Sequence, residues 1–397
     1  MSASPDVIVA GLGAVGSAAL YQLARRGVRA LGIDRFQPPH QYGSSHGDSR
    51  ITRMAIGEGA VYVQFVRRAH AIWRELEGAT DRTLLRTVGC LIYGTSAAPS
   101  AAHGAPDFLQ ATIDVAEHYG IAHERLDATA LRQRFPQFRW HGDEHGCFEP
   151  GGGFVHPEAC ISAQLETALR LGAQVQTGER VERWSTTGGG IAVETDRATY
   201  TASRLIIAAG AWLPALVPVL APYARAYRQV MFWFSPHDES VRFDPAAMPV
   251  YVRLPDQRTR MFYGFPAVDG PRGGLKIAAE QFDRAHAPDD IEREVRDDER
   301  AAMYAVAAPH LRIAPRCLRA AACAYTVTPD FHFVIDHAPD SARVWFASAC
   351  SGHGFKHSAA VGEALAQISV DGRTSFDVSP FRLNRFAISD VHGDHRT

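Results

Sequence analysis

Residues 7–16 read VIVAGLGAVG, and this stretch determines the fold class of the 397-residue chain. Four apolar residues, typical of a buried strand, lead directly into Gly11, Gly13 and Gly16, which have the spacing GxGxxG. The first glycine permits a tight turn, the second lets a pyrophosphate approach the backbone, and the third lets helix and strand pack closely. Residues 17–26 have the apolar spacing of that helix, whose first turn presents free N–H groups to phosphate.

The second strand of this unit is predicted at residues 30–33 and leads into Asp34. A carboxylate at this distance from the glycines accepts hydrogen bonds from ribose hydroxyls. An acid there disfavours a 2′-phosphate, so FAD or NAD is preferred over NADP. The fingerprint does not separate FAD from NAD. It predicts an α/β fold with a Rossmann-type dinucleotide-binding domain.

Charge and hydropathy give no reason to expect nucleic acid or a membrane as partner. The formal net charge is −2, from 41 Lys+Arg and 43 Asp+Glu. Residues 205–224 carry almost no polar side chain, but Pro214, Pro218 and Pro222 would break a spanning helix. Residues 1–6 lack a basic start followed by a long apolar run, so we predict no secretory signal. We therefore predict a cytoplasmic protein.

Neither the cysteines nor the histidines indicate a metal site. The six cysteines form no CxxC pair, and a chain of this length does not need disulfides. Residues 141–145 read HGDEH, but no fourth ligand accompanies them. We interpret this segment as a solvated turn and predict no metal.

Further segments are more specific than the glycine fingerprint. In chain order they are 36–40 (FQPPH), 43–53 (GSSHGDSRITR), 57–59 (GEG), 208–212 (AAGAW), 227–230 (YRQV), 263–266 (YGFP), 274–276 (GLK), 322–326 (ACAYT), 333–336 (FVID) and 351–356 (SGHGFK). Through them the chain resembles the monomeric sarcosine oxidase and N-methyltryptophan oxidase family over nearly its whole length. The resemblance implies FAD rather than NAD.

The resemblance also implies two discontinuous lobes. An FAD-binding domain would comprise residues 1–85, 150–224 and 330–397, and a sheet-based substrate-binding domain residues 86–149 and 225–329. It implies a monomer that binds FAD in an extended pose. The residues expected to bind FAD are Gly11, Gly13, Ala14, Val15, Gly16, Asp34, Arg35, Ser44, Arg50, Val181, Gly210, Trp212, Cys323, Gly352, Gly354, Phe355 and Lys356.

Cys323 corresponds to the cysteine that forms a thioether with the flavin 8α carbon in this family. That chemistry needs a thiolate, which a cationic surrounding favours. The flanking Ala322, Tyr325 and Thr326 match as well, whereas Cys317 lacks this context. A buried structural thiol is the alternative interpretation of Cys323.

The implied reaction removes a hydride equivalent from the C–N bond of an amine, and the imine product is hydrolysed while O2 becomes H2O2. Arg50 and His46 would place positive charge near the pyrimidine end of the flavin. Lys276 would promote electron transfer to O2. Tyr263 and Tyr325 would line the substrate cavity, with ordinary core packing as the alternative.

Arg53 and Lys356 correspond to the pair that binds the substrate carboxylate. Four positions depart from sarcosine oxidase: Glu280 replaces a pocket histidine, Tyr251 a methionine, Ile56 a tyrosine and Arg253 an acid. We assign Tyr251 and Glu280 to the substrate site. These departures predict a larger or more polar substrate than sarcosine, and a cationic side group would meet Glu280.

Three other functions compete with an oxidase. A flavin-dependent dehydrogenase would pass its electrons to a carrier instead of O2, and Lys276 argues against it. A nicotinamide-dependent dehydrogenase needs only residues 11–34 and leaves the later motifs unexplained. A non-catalytic flavoprotein would not need the full charged set.

Overall fold

The computed structural model describes residues 4–95, 100–237, 240–257 and 259–386, so the outermost residues of the predicted FAD domain, 1–3 and 387–397, lie outside it. The helices are α1 (Ala14–Arg25), α2 (Val63–Thr80), α3 (Phe108–His118), α4 (Ala128–Arg134), α5 (Pro157–Arg170), α6 (Leu213–Leu216), α7 (Asp297–Ala307) and α8 (Ser358–Asp371). The strands are β1 (Val7–Ala10), β2 (Ala30–Asp34), β3 (Arg50–Thr52), β4 (Leu85–Thr87), β5 (Cys90–Thr95), β6 (Glu124–Leu126), β7 (Glu144–Glu149), β8 (Gly153–Val155), β9 (Gln174–Thr177), β10 (Val181–Thr186), β11 (Ile191–Thr195), β12 (Thr199–Ala202), β13 (Arg204–Ile207), β14 (Arg225–Pro236), β15 (Val250–Arg253), β16 (Phe262–Gly264), β17 (Leu275–Ala279), β18 (Ala285–His286), β19 (Ile313–Val327), β20 (Val334–Ala338) and β21 (Ser341–Ser348).

A six-stranded sheet carries the glycine fingerprint. Its order is β20-β21-β13-β1-β2-β9, and every neighbouring pair is parallel except β20 with β21. Successive side chains of β1 point to opposite faces of this sheet, and both faces are covered by other elements. Val7 and Val9 pack in the cluster that contains α1, α5 and α8, whereas Ile8 and Ala10 pack with β11 of a three-stranded antiparallel sheet. The result is a three-layer α/β arrangement, which confirms the predicted fold class.

A nine-stranded, mostly antiparallel sheet forms the second layer system. Its path is β18-β14-β17-β16-β15-β5-β7-β6, and β19 pairs with β14 along most of its length. Helix α7 packs with one face of this sheet through Met303 and Ala307. The opposite face carries Cys323 and Tyr325, which alternate on β19 and pack beside Met231 of β14.

One predicted helix is too long. The charged, amphipathic pattern of residues 289–307 predicts a helix over the whole segment, but α7 begins only at Asp297. Residues 288–290 form a short 3₁₀ turn instead. At Arg296, the backbone N–H donates to the Glu299 side chain 2.9 Å away, and this capping interaction starts the helix there. Within the described residues, no helix has the length and apolar character needed to cross a membrane.

Candidate active site

A cavity of about 430 Å³ lies at the carboxyl ends of β1 and β2. This is the edge of a parallel sheet at which α/β folds bind nucleotides. The cavity runs from Asp34, Arg35 and Val181 past the glycine turn to Arg50 and Tyr325. Its size falls within the range of ligand sites in proteins.

The three fingerprint glycines differ in what limits them. A Cβ on Gly16 would lie 1.7 Å from the carbonyl oxygen of Gly11, and one on Gly11 would lie 2.7 Å from that of Ala208. Gly11 also has φ +88°, which favours glycine. At Gly13, however, the nearest protein atom is Ser45 Oγ at 4.0 Å. Protein packing therefore requires the outer two glycines, while Gly13 borders open cavity space that suits a pyrophosphate.

Asp34 lies at the far end of this cavity. Its two carboxylate oxygens accept hydrogen bonds from the backbone N–H groups of Leu12 and Phe36, each at 2.7 Å. Burial raises the pKa of the Asp34 carboxyl, and the two N–H donors oppose that rise. These bonds hold the carboxylate in place at the cavity wall, where its remaining lone pairs are available to hydroxyl groups.

Most residues expected to bind FAD line this cavity. Those that do are Gly11, Gly13, Ala14, Val15, Asp34, Arg35, Ser44, Arg50, Val181, Gly210, Trp212, Gly352, Gly354 and Phe355. Three others stand apart from it. Gly16 lies behind the turn against Gly11, Cys323 is buried in the adjacent sheet face, and Lys356 lines a second cavity.

The second cavity, of about 80 Å³, adjoins the first. The two share Arg50, Tyr325, Gly352 and Phe355 as lining residues. Tyr263 reaches the same wall from β16, and its hydroxyl lies 2.8 Å from that of Tyr325. The structure thus places both tyrosines at the junction of a long cavity with a small one.

A buried carboxylate joins the two cations that were expected to bind substrate. Glu58 accepts from Arg53 Nη2 at 2.7 Å and from Lys356 Nζ at 3.1 Å. Burial acts to raise the pKa of Glu58, but Arg53 and Lys356 outweigh it and hold that pKa well below its usual value. Burial also lowers the pKa of Lys356 to about 8. The cluster of Arg53, Lys356 and Glu58 therefore keeps one excess positive charge near neutral pH.

His103 completes this cluster, although no sequence motif indicates it. Its Nε2 lies 2.8 and 2.9 Å from the two carboxylate oxygens of Glu280, and its Nδ1 lies 3.6 Å from Glu58 Oε1. Glu280 was expected to meet a cationic group of the substrate. The structure pairs it with a cationic group of the protein instead, because the 100–107 loop brings His103 across the cavity.

His46 does not supply positive charge. Burial and the nearby Arg50 lower its pKa to about 3, so its ring is neutral at physiological pH. Its Nε2 is buried without a hydrogen-bond partner in the described residues. Arg50 is held by the carbonyl oxygens of Ser49 and Ser44 at 2.8 and 2.7 Å and faces both cavities. Of the two residues, Arg50 alone brings a cation to the junction.

Lys276 is buried beside this junction without lining either cavity. Its Nζ donates to the carbonyl oxygens of Gly47 at 2.7 Å and Ser49 at 2.6 Å. Burial, together with Arg50, lowers its pKa well below the usual value for lysine. The Nζ also lies 4.5 Å from the centre of the Phe265 ring. The ammonium form that the resemblance implies is therefore disfavoured by burial and supported by two carbonyl acceptors.

Cys323 lies two residues from Tyr325 on the same face of β19, because alternate residues of a strand share a face. Burial raises the pKa of its thiol, and Arg50 and Lys276 oppose that rise. Cys350 lines the first cavity directly, with its Sγ 4.0 Å from Ser44 Oγ. The structure thus brings two thiols to this region.

Tyr251 does not reach the substrate cavity. It packs against Phe138 and Phe262 on the opposite face of β15, where its hydroxyl is buried. Its neighbour Val252 lines the cavity instead. Placing Tyr251 in the substrate site was therefore wrong, because the register of β15 turns Val252 towards the cavity and Tyr251 away from it. Arg253 lies on the same buried face of β15 as Tyr251 and forms an ion pair with Asp256 at 2.5 Å.

Within the described residues, no group of three His, Cys, Asp or Glu side chains is arranged to hold a metal ion. The HGDEH segment forms a tight turn, in which the Glu144 carboxylate accepts from the backbone N–H groups of His141 and Gly142. That carboxylate caps its own turn.

Comparisons with known proteins agree on one family. The family described as "FAD dependent oxidoreductase" (DAO) matches residues 6–368. A monomeric sarcosine oxidase of Streptomyces avermitilis is 38% identical over 98% of this chain and 99% of its own length. An N-methyl-L-tryptophan oxidase of Salmonella arizonae is 35% identical over 96% and 99%.

Solved structures show the same fold. NikD, an amino acid oxidase of nikkomycin biosynthesis, superposes with a TM-score of 0.81 at 23% identity, covering 96% of this chain and 98% of that one. Glycine oxidase from Geobacillus kaustophilus gives 0.77 at 18% identity, covering 96% and 99%. At these identities the likeness concerns the fold alone.

Proposed function

This chain belongs to the family of FAD-dependent oxidoreductases that includes monomeric sarcosine oxidase, and from that premise we propose that it oxidises N-methyl amino acids or similar secondary amine acids. One observation carries the proposal: a small cavity with an excess of positive charge adjoins the dinucleotide cavity and shares four lining residues with it. An amino acid brings one carboxylate, which that excess would bind.

The residues of the long cavity fit FAD. The open space at Gly13 suits a pyrophosphate, Asp34 suits ribose hydroxyls, and Arg50 stands where a cation would face the ring system. When bound, FAD supplies the two-electron oxidant that takes a hydride equivalent from the substrate C–N bond and then reduces O2 to H2O2. A nicotinamide-dependent dehydrogenase is not compatible with the family assignment.

The substrate is held through its carboxylate in this proposal. Arg53 remains charged, and Lys356 is mostly charged below a pH of about 8. Tyr263 and Tyr325, whose hydroxyls lie 2.8 Å apart, form the wall where the C–N bond would face the long cavity. Such a wall excludes water while the amine reacts. The imine product is then hydrolysed outside this contact.

We further propose that Cys323 carries the flavin as a thioether. Support comes from its position beside Tyr325 and from Arg50, a cation that opposes the rise of its pKa. Cys350 lines the same cavity and is the matched control. Acid precipitation should leave flavin attached in wild type and in Cys350→Ser, and release it from Cys323→Ser. Mass measurement of the flavin peptide identifies the linked residue.

Oxygen is the proposed acceptor, with Lys276 as the residue that promotes its reduction. A dehydrogenase that uses another acceptor, and a flavoprotein without catalysis, are the competing functions. The deciding experiment is an anaerobic titration with a panel of N-methyl amino acids, followed by admission of air. Bleaching of the flavin followed by peroxide release supports an oxidase. Bleaching without peroxide favours the dehydrogenase, and no bleaching by any amine favours the non-catalytic protein.

The domain division is a proposal as well. The strands of the six-stranded sheet come from segments 7–34, 174–207 and 334–348, in keeping with an FAD domain of 1–85, 150–224 and 330–397. Those of the nine-stranded sheet fall within 86–149 and 225–329. We also propose a cytoplasmic monomer. Light scattering on the purified protein tests the monomer, and cell fractionation tests the location.

A further inference from the structure

His103 occupies a strained and well-packed position. Its φ of +47° is unusual for a residue with a side chain, and Gly104 follows with φ +81°. The turn is closed by mutual hydrogen bonds between Ala102 and Ala105 at 3.0 and 2.9 Å. The imidazole stacks on Phe331 with ring centroids 5.7 Å apart. A backbone conformation of this kind costs energy and persists only where the surroundings hold it.

The contacts of this ring are those of an imidazolium. Nε2 bonds both oxygens of Glu280, and Nδ1 points towards Glu58 Oε1 at 3.6 Å without a hydrogen bond. Burial acts to lower the pKa of His103, but Glu280 and Glu58 outweigh it and raise the pKa to about 9. The neighbouring His353 has its pKa lowered well below the usual value by burial, so it stays neutral.

The charges of the substrate cavity can therefore be counted. Apart from Arg50, which also faces the long cavity, the lining has three cations, Arg53, Lys356 and His103, and two anions, Glu58 and Glu280, which leaves one positive charge. An amino acid with a neutral amine and an uncharged side group carries one negative charge and balances it. Without the charge on His103, Glu280 would be a buried carboxylate with no cationic partner, and it would attract a cation.

We propose that His103 is a specificity-determining residue that restricts the enzyme to substrates with one carboxylate and an uncharged side group, by neutralising Glu280 inside the cavity. This inference rests on the proposed function and names its substrate class. It reverses the expectation drawn from Glu280 alone, which favoured a cationic side group.

The test uses two isosteric substrates, N-methyl-norvaline and Nα-methyl-2,4-diaminobutyrate, whose side groups differ by a terminal methyl or ammonium. The ratio of kcat/KM for the first over the second is measured for wild type, His103→Gln, Glu280→Gln and the double variant. His118→Gln, on the exposed face of the helix that follows the loop, is the control.

Wild type should prefer the uncharged substrate, and His103→Gln should shift the ratio at least tenfold towards the cationic one. The double variant should return the preference to the uncharged substrate, because the lone carboxylate is gone. His103→Lys keeps a cation and should keep the wild-type ratio even if the loop packs less well. The inference is overturned if His103→Gln leaves the ratio unchanged, or if His103→Lys shifts the ratio as far as His103→Gln does.

A binding measurement separates this inference from the proposed reaction. Calorimetric titration of the flavin-loaded protein with propionate and with methylammonium needs no turnover. Wild type should bind propionate at least tenfold tighter, and His103→Gln should lose that advantage. If no amine is oxidised yet His103→Gln loses the preference for propionate, the proposed function fails and the role of His103 stands. If amines are oxidised and His103→Gln keeps the wild-type preference for propionate, the proposed function stands and the role of His103 fails.

Discussion

Replacing Glu58 by glutamine tests the charge cluster on which substrate binding depends. The substitution preserves shape and removes one buried charge, which leaves Arg53 and Lys356 without their shared partner at 2.7 and 3.1 Å. Breaking a buried ion pair from one side costs about 3–5 kcal/mol. Lys356 can relieve part of this by losing its proton, since Glu58 is what opposes the lowering of its pKa to about 8. We therefore expect a loss near the lower end, about 3 kcal/mol.

The sign of the pH dependence follows from Glu58 itself. Its folded pKa lies well below that of the unfolded chain, so its contribution to stability is present above the unfolded pKa of about 4.3 and is lost as pH falls through the folded value. The difference between wild type and Glu58→Gln should thus stay constant from about pH 5 to 7 and shrink in stronger acid.

Denaturant unfolding of the flavin-loaded protein, with and without propionate, measures both effects. Propionate should replace the missing carboxylate and bind Glu58→Gln about tenfold tighter than wild type, because Arg53 then has no partner carboxylate and a bound anion favours the charged form of Lys356. Glu75→Gln, whose carboxylate is 40% exposed beside Arg25, should cost less than about 1 kcal/mol. If Glu58→Gln matches that control in stability and matches wild type in propionate affinity, the charge cluster is not what binds the carboxylate.

Three further outcomes follow from the site. Gly13→Val should fold with wild-type far-UV dichroism, since a Cβ there meets no protein atom closer than 4.0 Å, but its side chain should fill the cofactor space and prevent flavin binding. Gly16→Val should not fold, because its Cβ would lie 1.7 Å from a carbonyl oxygen. A flavin-loaded Gly13→Val would contradict this. Propionate affinity, measured from flavin absorbance, should fall by about tenfold in total as pH rises through the pKa values of Lys356, about 8, and His103, about 9. His103→Gln should lose the part of this fall near pH 9. An affinity that does not change with pH would contradict this. Lys276→Met should slow reoxidation of the reduced protein by O2 about 100-fold in stopped flow. The rate of anaerobic reduction by substrate should stay within about a few-fold of the wild-type rate. Equal slowing of both half-reactions would assign Lys276 a structural role instead.

The sequence was most informative where a short motif meets a local constraint. The glycine turn and Asp34 lie within 24 residues of one another along the chain, and protein packing gives Gly11 and Gly16 separate steric reasons to be glycine. The SGHGFK segment likewise ends in the 3₁₀ turn, residues 355–357, that carries Lys356 into the cavity just before α8. In both cases the residues lie close together along the chain, so no long-range pairing had to be inferred.

The errors came from relations that the chain does not encode locally. Tyr251 lies in a four-residue strand in which Val250 and Val252 are equally apolar, so only its pairing with β5 and β16 decides which residues face the cavity. His103 sits in a loop of Ala, Gly and Pro without periodicity, and its partner Glu280 is 177 residues away. No single-sequence pattern connects two residues at that separation.

The strand order has a consequence for how the protein is made. β1 emerges first, yet one of its two neighbours, β13, is synthesised about halfway along the chain, and β21 beyond it comes near the end. Helix α8 then seats against α1 so closely that a Cβ on Gly362 would lie 2.4 Å from the Cβ of Ala18. The cofactor cleft therefore closes only after roughly the whole polypeptide has left the ribosome, and a nascent chain stalled before residue 341 would hold its fingerprint helix with a bare apolar flank. We therefore expect flavin to bind only once the chain is nearly complete.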